Sequence, residues 1–135
     1  MDLNAVYTEI ETKLRTITGL RVVKMGEKPQ VPGAMVLLPD SIAPANYGRG
    51  SSVVRDVPVL VIVGKSVARQ AQADVFAYAA SSGSKSVHAV LDPATWVACF
   101  DVTITEVTFD TVTIAGAQDV YLGVLFHLDI TGPGA

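Results

Sequence analysis

Apolar residues recur along the chain in two periods, and the change from one to the other marks the elements. Leu3, Val6, Ile10, Leu14 and Ile17 fall three and four apart, one stripe of a 3.6-residue period. They predict an amphipathic N-terminal helix, with Asp2 as its N-cap and Gly19 as its stop. A short strand-like piece, Leu20–Lys24, follows, and the prolines and glycines of 26–33 predict a loop. Ala34–Leu38 reads as a short apolar strand closed by Pro39-Asp40. Residues 40–52, rich in Ser, Gly, Pro and Asn, read as a long loop with Tyr47 and Arg49 near its centre, a length that in a small domain points to function. Val53–Val63 is the next strand. From Val57 onward both its faces are apolar, which implies burial on both sides, although Pro58 removes one backbone donor from its ladder.

Ser66 is placed to cap a second helix, Val67–Ala80, ended by Ser81-Ser82-Gly83. A short helix over Ser86–Leu91 stops at Asp92-Pro93. Val97–Phe109 reads as a long strand, with Ala98, Phe100, Val102 and Ile104 on one face and Cys99, Asp101, Thr103 and Thr105 on the other. Its apolar phase changes at Glu106, which predicts a bulge near Thr105-Glu106. The final strand has the cleanest alternation: Val120, Leu122, Val124, Phe126, Leu128 and Ile130 against Tyr121, Gly123, Leu125, His127 and Asp129. Residues 131–135 read as a frayed tail. The order predicts one α+β domain over 1–135, a mostly antiparallel sheet of about four strands with two or three helices packed on one face.

Composition sharpens this picture. Half of the 135 residues are hydrophobic, and mean hydropathy is +0.41. A domain this small has much surface for its interior, so part of its apolar area is expected to be covered by further copies of itself. Net charge is −3 and pI about 5.2, which argues against a simple basic nucleic-acid binder. The single cysteine, Cys99, excludes an intramolecular disulfide and four-cysteine zinc sites. The longest apolar stretch, Val57–Val63, is far too short for a membrane helix, and Met1-Asp2-Leu3-Asn4 has no basic lead into an apolar run, so a soluble, intracellular protein is expected. Charge is uneven. Residues 71–135 carry Lys85 as their one basic residue against Asp74, Asp92, Asp101, Glu106, Asp110, Asp119 and Asp129, while the first 70 residues are mildly basic. Such asymmetry suits head-to-tail contact between copies.

Candidate chemistry is thin. Gly64-Lys65-Ser66 stands where a phosphate-binding loop would end, but residues 59–63 are Val-Leu-Val-Ile-Val, strand residues that cannot form its cradle of inward amides. Gly83-Ser84-Lys85-Ser86 with His88 lacks a base facing the hydroxyl, since residues two apart on a helix diverge; Ser84 and Ser86 read as turn and cap residues. His127 and Asp129 share a strand face and could hold a cation only with further ligands. Cys99 and Trp96 read as packing residues. No residue is assigned a catalytic, cofactor-binding or metal-ligating role.

The order of landmarks resembles a family. These are the amphipathic first helix, the Ala34-Met35-Val36-Leu37-Leu38-Pro39-Asp40 strand end with its tyrosine-bearing loop, and the Val57–Val63 strand. The alanine-rich helix, Gly83-Ser84-Lys85-Ser86-Val87-His88-Ala89-Val90-Leu91, and the final strand opening Val120-Tyr121-Leu122-Gly123 continue it. Over most of its length the chain resembles the tail terminator (tail-completion) proteins of long-tailed bacteriophages, especially those of actinobacteria. The resemblance implies a virion structural protein and not an enzyme. It implies a homo-oligomeric ring, typically a hexamer, at the head–tail junction, assembled in the host cytoplasm. The ring would stop polymerisation of the tail tube protein, dock the head-tail connector or stopper protein, and let genomic DNA pass through its lumen without specific binding. No cofactor is implied. On this reading Tyr47, Arg49, Arg55, Val57, Val59 and Val61 are candidate interface residues, and Asp101, Glu106, Asp119 and Asp129 are candidate lumen-facing acids that repel the DNA backbone. The alternatives are a tail-tube or other head–tail connector protein, or a small-molecule-binding α+β module.

Overall fold

The N-terminal apolar stripe forms helix α1, Leu3–Leu14, which buries Val6, Ile10 and Leu14. The helix ends before Gly19. The Thr16 and Ile17 amides bond three residues back to Lys13 and Leu14, and the Thr16 hydroxyl caps the same Lys13 carbonyl at 2.6 Å. Ile17 still reaches the core from this tightened exit, and Gly19 turns the chain with φ of 84°. A computed structural model describes residues 3–17, 19–24, 32–42, 52–65, 69–91, 96–97, 99, 101–113 and 120–132. Asp2, Ser66, Tyr47, Arg49 and Asp119, and with them the proposed caps and part of the expected interface and lumen, lie outside the described residues.

The strands are β1 (Arg21–Val23), β2 (Gly33–Val36), β3 (Ser41–Ile42), β4 (Ser52–Lys65), β5 (Asp101–Thr113) and β6 (Val120–Gly132). Helices α2 (Arg69–Ala79) and α3 (Val87–Leu91) lie between β4 and β5. The sheet order is β1-β2-β4-β6-β5, with β3 paired to β4 beyond the end of β2. Only β1 and β2 run parallel; every other pair is antiparallel. Among the described residues the fold is therefore α+β, with a mostly antiparallel sheet and three helices. The two-residue β3, inside the stretch expected to be loop, is too short to carry an alternating pattern.

One face of this sheet is the core. The register places Ala34 and Val36 of β2, Val57, Val59 and Val61 of β4, and Val124, Phe126 and Leu128 of β6 side by side. All of them join Val6, Ile10, Leu14, Val75, Tyr78, Val87 and Leu91 of the helices in one buried cluster. Cross-strand rows of apolar residues packed under helices take a large apolar area out of water. Ser86 starts α3 as expected, its hydroxyl accepting the Ala89 amide at 3.0 Å while itself bonding the Ala80 carbonyl.

Two expectations change here. Val57, Val59 and Val61 are fully buried beneath the helices and cannot meet another chain; the residues of β4 on the opposite face are Pro58, Leu60 and Ile62. Also, β5 starts at Asp101, not Val97. Val97 is 92% exposed, with its amide held by the Glu9 carboxylate at 2.9 and 3.2 Å, whereas Cys99 turns into the core. Val97 is tied to α1 through Glu9 before the ladder with β6 begins, and Cys99 does not take the outward face expected of it.

Candidate functional site

Among the described residues the opposite sheet face carries no helix, and its side chains follow from the register. One row runs straight across it: Val23 of β1, Met35 of β2, Leu60 of β4, Leu125 of β6 and Thr108 of β5. Its four apolar members are all half-buried. The neighbouring row runs Arg21, Gly33, Ile62, Gly123 and Asp110, and Val112 with Tyr121 extends the apolar area beyond it. Gly123 is required for close approach: a Cβ there would lie 2.8 Å from Val112 Cγ2 and 3.5 Å from Leu60 Cδ1. The face is thus an apolar band, basic at its β1 end (Arg21) and acidic at its β5 end.

The acidic end needs the predicted bulge. The register slips between Ile104 and Glu106, leaving Thr105 as the extra residue. Before the slip Asp101 and Thr103 point to the helix-free face, opposite Thr131 and Asp129; after it Glu106 and Asp110 do, opposite His127 and Gly123. Asp101, Glu106 and Asp110 are exposed, on the outermost strand of the sheet. Asp110 was missed by sequence reasoning, though the same phase change that located the bulge would have placed it with the other two. Asp129 belongs to this face but is half-buried and committed, its Oδ1 accepting the Asp56 amide at 3.1 Å.

Between the apolar band and Asp129 lies a polar relay that the sequence did not reveal. A second bulge, in β4 between Val54 and Val57, puts Asp56 into the left-handed region with φ of 54°. This turns its carboxylate onto β6, where Oδ1 lies 2.5 Å from His127 Nδ1. The other imidazole nitrogen, Nε2, lies 3.2 Å from Thr108 Oγ1 on β5. Thr105 Oγ1 adds a bond to the His127 carbonyl at 3.2 Å. Asp56, His127 and Thr108 therefore link β4, β6 and β5 across the open face. Chemically the row is a carboxylate orienting an imidazole toward a hydroxyl, the order of a base-assisted nucleophile. Thr108 Oγ1 also lies 3.5 Å from the Leu125 carbonyl, so the hydroxyl is shared with the backbone of the same strand pair. The row's consequence is to tie three strands together across the open face.

Arg55 is exposed at the same bulge, where its carbonyl accepts the Asp40 amide at 3.2 Å and its backbone pairs with Ser41. Lys65 is the last residue of β4, and a Cβ at the Gly64 beside it would meet Ala71 of α2 at 3.5 Å, an ordinary van der Waals contact. Trp96 packs on the core with Lys13 Nζ 4.9 Å from its ring centre, and burial raises the Cys99 thiol pKa to about 11, with Glu9 and Asp101 adding to the effect. Among the described residues no three His, Cys, Asp or Glu side chains are grouped to hold a metal ion, and no helix is long and apolar enough to cross a membrane. Compared with known proteins, the chain matches no family model and no curated sequence.

Proposed function

We propose that this chain is a phage virion structural protein that assembles head-to-tail into a closed, hexameric ring at the head-proximal end of the tail. There it terminates the tail tube, joins the tail to the head connector and lets DNA pass through its lumen. The observation that carries the reading is the helix-free sheet face, with its half-buried band of Val23, Met35, Leu60 and Leu125 between a basic strand and an acidic edge strand. Apolar area left over after the core is complete favours a partner surface. A ring needs two different patches that fit each other on successive copies, and a face graded from Arg21 to Asp110 supplies unlike ends. Asp101 and Glu106 on the edge strand suit a wall along which polyanionic DNA slides without sticking. The landmark order along the sequence supports the same role. The protein acts by assembly and not by catalysis.

Native mass spectrometry and negative-stain electron microscopy of the purified chain test this. Closed rings, and capped ends when tail tubes are added, are the expected result. A chain that stays monomeric at high concentration and never adds to tubes overturns it. Long polymers formed without any other protein would transfer the reading to the tail tube itself. If the acidic edge faces the lumen, neutralising Asp101 and Glu106 together slows DNA ejection; unchanged ejection removes that part of the proposal.

A further inference from the structure

A cleft of about 340 Å³ opens between α1 and the β1–β2 side of the sheet, lined by Leu3, Tyr7, Thr8, Glu11, Lys24 and Leu38 among others. Glu11 is unusual for a charged residue, since its side chain is only 6% exposed. Its carboxylate has one partner among the described residues, Lys24 Nζ at 3.5 Å from Oε1, and the Lys24 side chain is 65% exposed. A carboxylate withdrawn from water needs close, multiple donors to offset its lost hydration, and one 3.5 Å contact to a largely exposed side chain is a weak substitute.

The other polar groups of the cleft sharpen what is missing. The Tyr7 hydroxyl donates to the Leu37 carbonyl at 2.7 Å, and the Thr8 hydroxyl donates to the Asn4 carbonyl at 2.9 Å. Both protons are thus committed to the backbone, and what these hydroxyls offer outward is lone pairs. Burial pushes the Tyr7 phenol up to about 12, so it stays a neutral acceptor through the ordinary pH range. A buried carboxylate and two acceptor oxygens surrounded by Leu3, Val36 and Leu38 call for a ligand rich in donors, positively charged, and apolar along its stem.

We infer that this cleft binds an aliphatic cation, an alkylguanidinium or primary alkylammonium group, with its head on Glu11 and its stem along Leu3, Val36 and Leu38. Lys24 is the internal stand-in for that head and is displaced by it. The same chemistry is carried by a free amine or by an arginine or lysine side chain of a partner protein. The inference does not depend on the ring proposal, because the cleft lies beside α1, away from the helix-free face.

Titration of the full chain with butylguanidinium chloride, followed by amide NMR shifts, tests it. Saturable shifts centred on Tyr7, Thr8 and Glu11 are expected, with n-butanol, the neutral analogue, binding at least about tenfold more weakly. Glu11→Gln should weaken the cation by about tenfold or more. Lys24→Ala should tighten it, because the competing ammonium is gone; that variant also keeps the test decisive if Glu11→Gln folds poorly. Absence of saturable shifts, equal binding of n-butanol, or weaker binding to Lys24→Ala overturns the assignment. A blocked Ala-Arg-Ala peptide separates the sources. Binding as tight as butylguanidinium points to a side chain of a partner protein, and exclusion of the peptide while the small cation binds points to a free amine.

Discussion

His127 Nδ1 and Asp56 Oδ1 lie 2.5 Å apart although 71 residues separate them in sequence, and the contact exists because β4 carries one residue too many. In an unbroken ladder Pro58, the direct partner of His127, would be followed upstream by regular pairs. The bulge instead swings Asp56 to φ of 54°, so that its amide meets Asp129 and its carboxylate meets His127. Asp tolerates this backbone region better than most residues because its short polar side chain bonds locally.

Two opposing effects at Asp56 can be separated by substitution. Asp56→Ala keeps the strained backbone and loses the contact to His127, and should destabilise the fold by about 1–3 kcal/mol. Asp56→Gly loses the same contact but relieves the left-handed strain, worth roughly 1 kcal/mol, and should fall between wild type and Asp56→Ala. Asp56→Asn keeps an acceptor and the backbone preference and should be the mildest. Urea unfolding of the three variants gives the order, and Asp56→Gly as the least stable would refute the strain argument.

The same bulge shows which features could be read in the sequence. The slip at Thr105 was legible because β5 has one polar and one apolar face, so an extra residue shifts the visible phase at Glu106. The slips in β4, between Val54 and Val57 and between Ile62 and Gly64, were not, because a strand apolar on both faces has no phase to break. That also hid which of its valines and leucines face the helices: Val57, Val59 and Val61 went to the core, and Leu60 with Ile62 to the open side. His127 was paired by sequence with Asp129, two residues on, whereas the register shows its partner to be Asp56 on another strand. Elements come from local period; sites depend on long-range register, which a single sequence does not display.

Gly123 predicts a coupled pair. A methyl group there would stand 2.8 Å from Val112 Cγ2, and a β-branched side chain in a strand has little rotamer freedom to move away. Gly123→Ala should cost about 1–3 kcal/mol by overpacking. Combined with Val112→Ala, which vacates that space, the loss should be smaller than the sum of the single changes by more than about 0.5 kcal/mol. Additive effects in urea unfolding would show that the close approach does not set the requirement for glycine.

Alkaline pH should destabilise the fold through two buried acids. The Tyr7 phenol is raised from 10.0 to about 12 by burial, and the Cys99 thiol from 9.0 to about 11, by burial first and then by Glu9 and Asp101. Each group keeps its proton longer in the folded chain than in the unfolded one. Their stabilisation is therefore complete below the unfolded values and is lost as pH climbs through 9–11 for Cys99 and 10–12 for Tyr7. Cys99→Ala should flatten the first limb and Tyr7→Phe the second, in unfolding free energies measured across that range. A native thiol that alkylates at pH 8 as fast as a free cysteine would contradict the first assignment.

Assembly and folding should separate on the helix-free face. Leu60 and Leu125 are cross-strand partners on that face, half-buried in the single chain, whereas their sequence neighbours Val59, Val61, Val124 and Phe126 are fully buried on the other. Replacing Leu60 and Leu125 together by serine removes apolar area where water already reaches, and leaves the packing beneath the helices intact. The thermal midpoint should fall modestly, by far less than for Phe126→Ala, which empties a core site at about 3–5 kcal/mol. If the face is where successive copies meet, the double variant should lose its rings while keeping a cooperative unfolding transition. Asp110→Lys, which reverses the charge at the acidic end of the row that starts at Arg21, should weaken rings in a way that high salt partly restores, because like charges would then meet between copies. Sedimentation velocity at two salt concentrations distinguishes these outcomes. Rings that survive both sets of substitutions unchanged would place the contact between copies on some other surface.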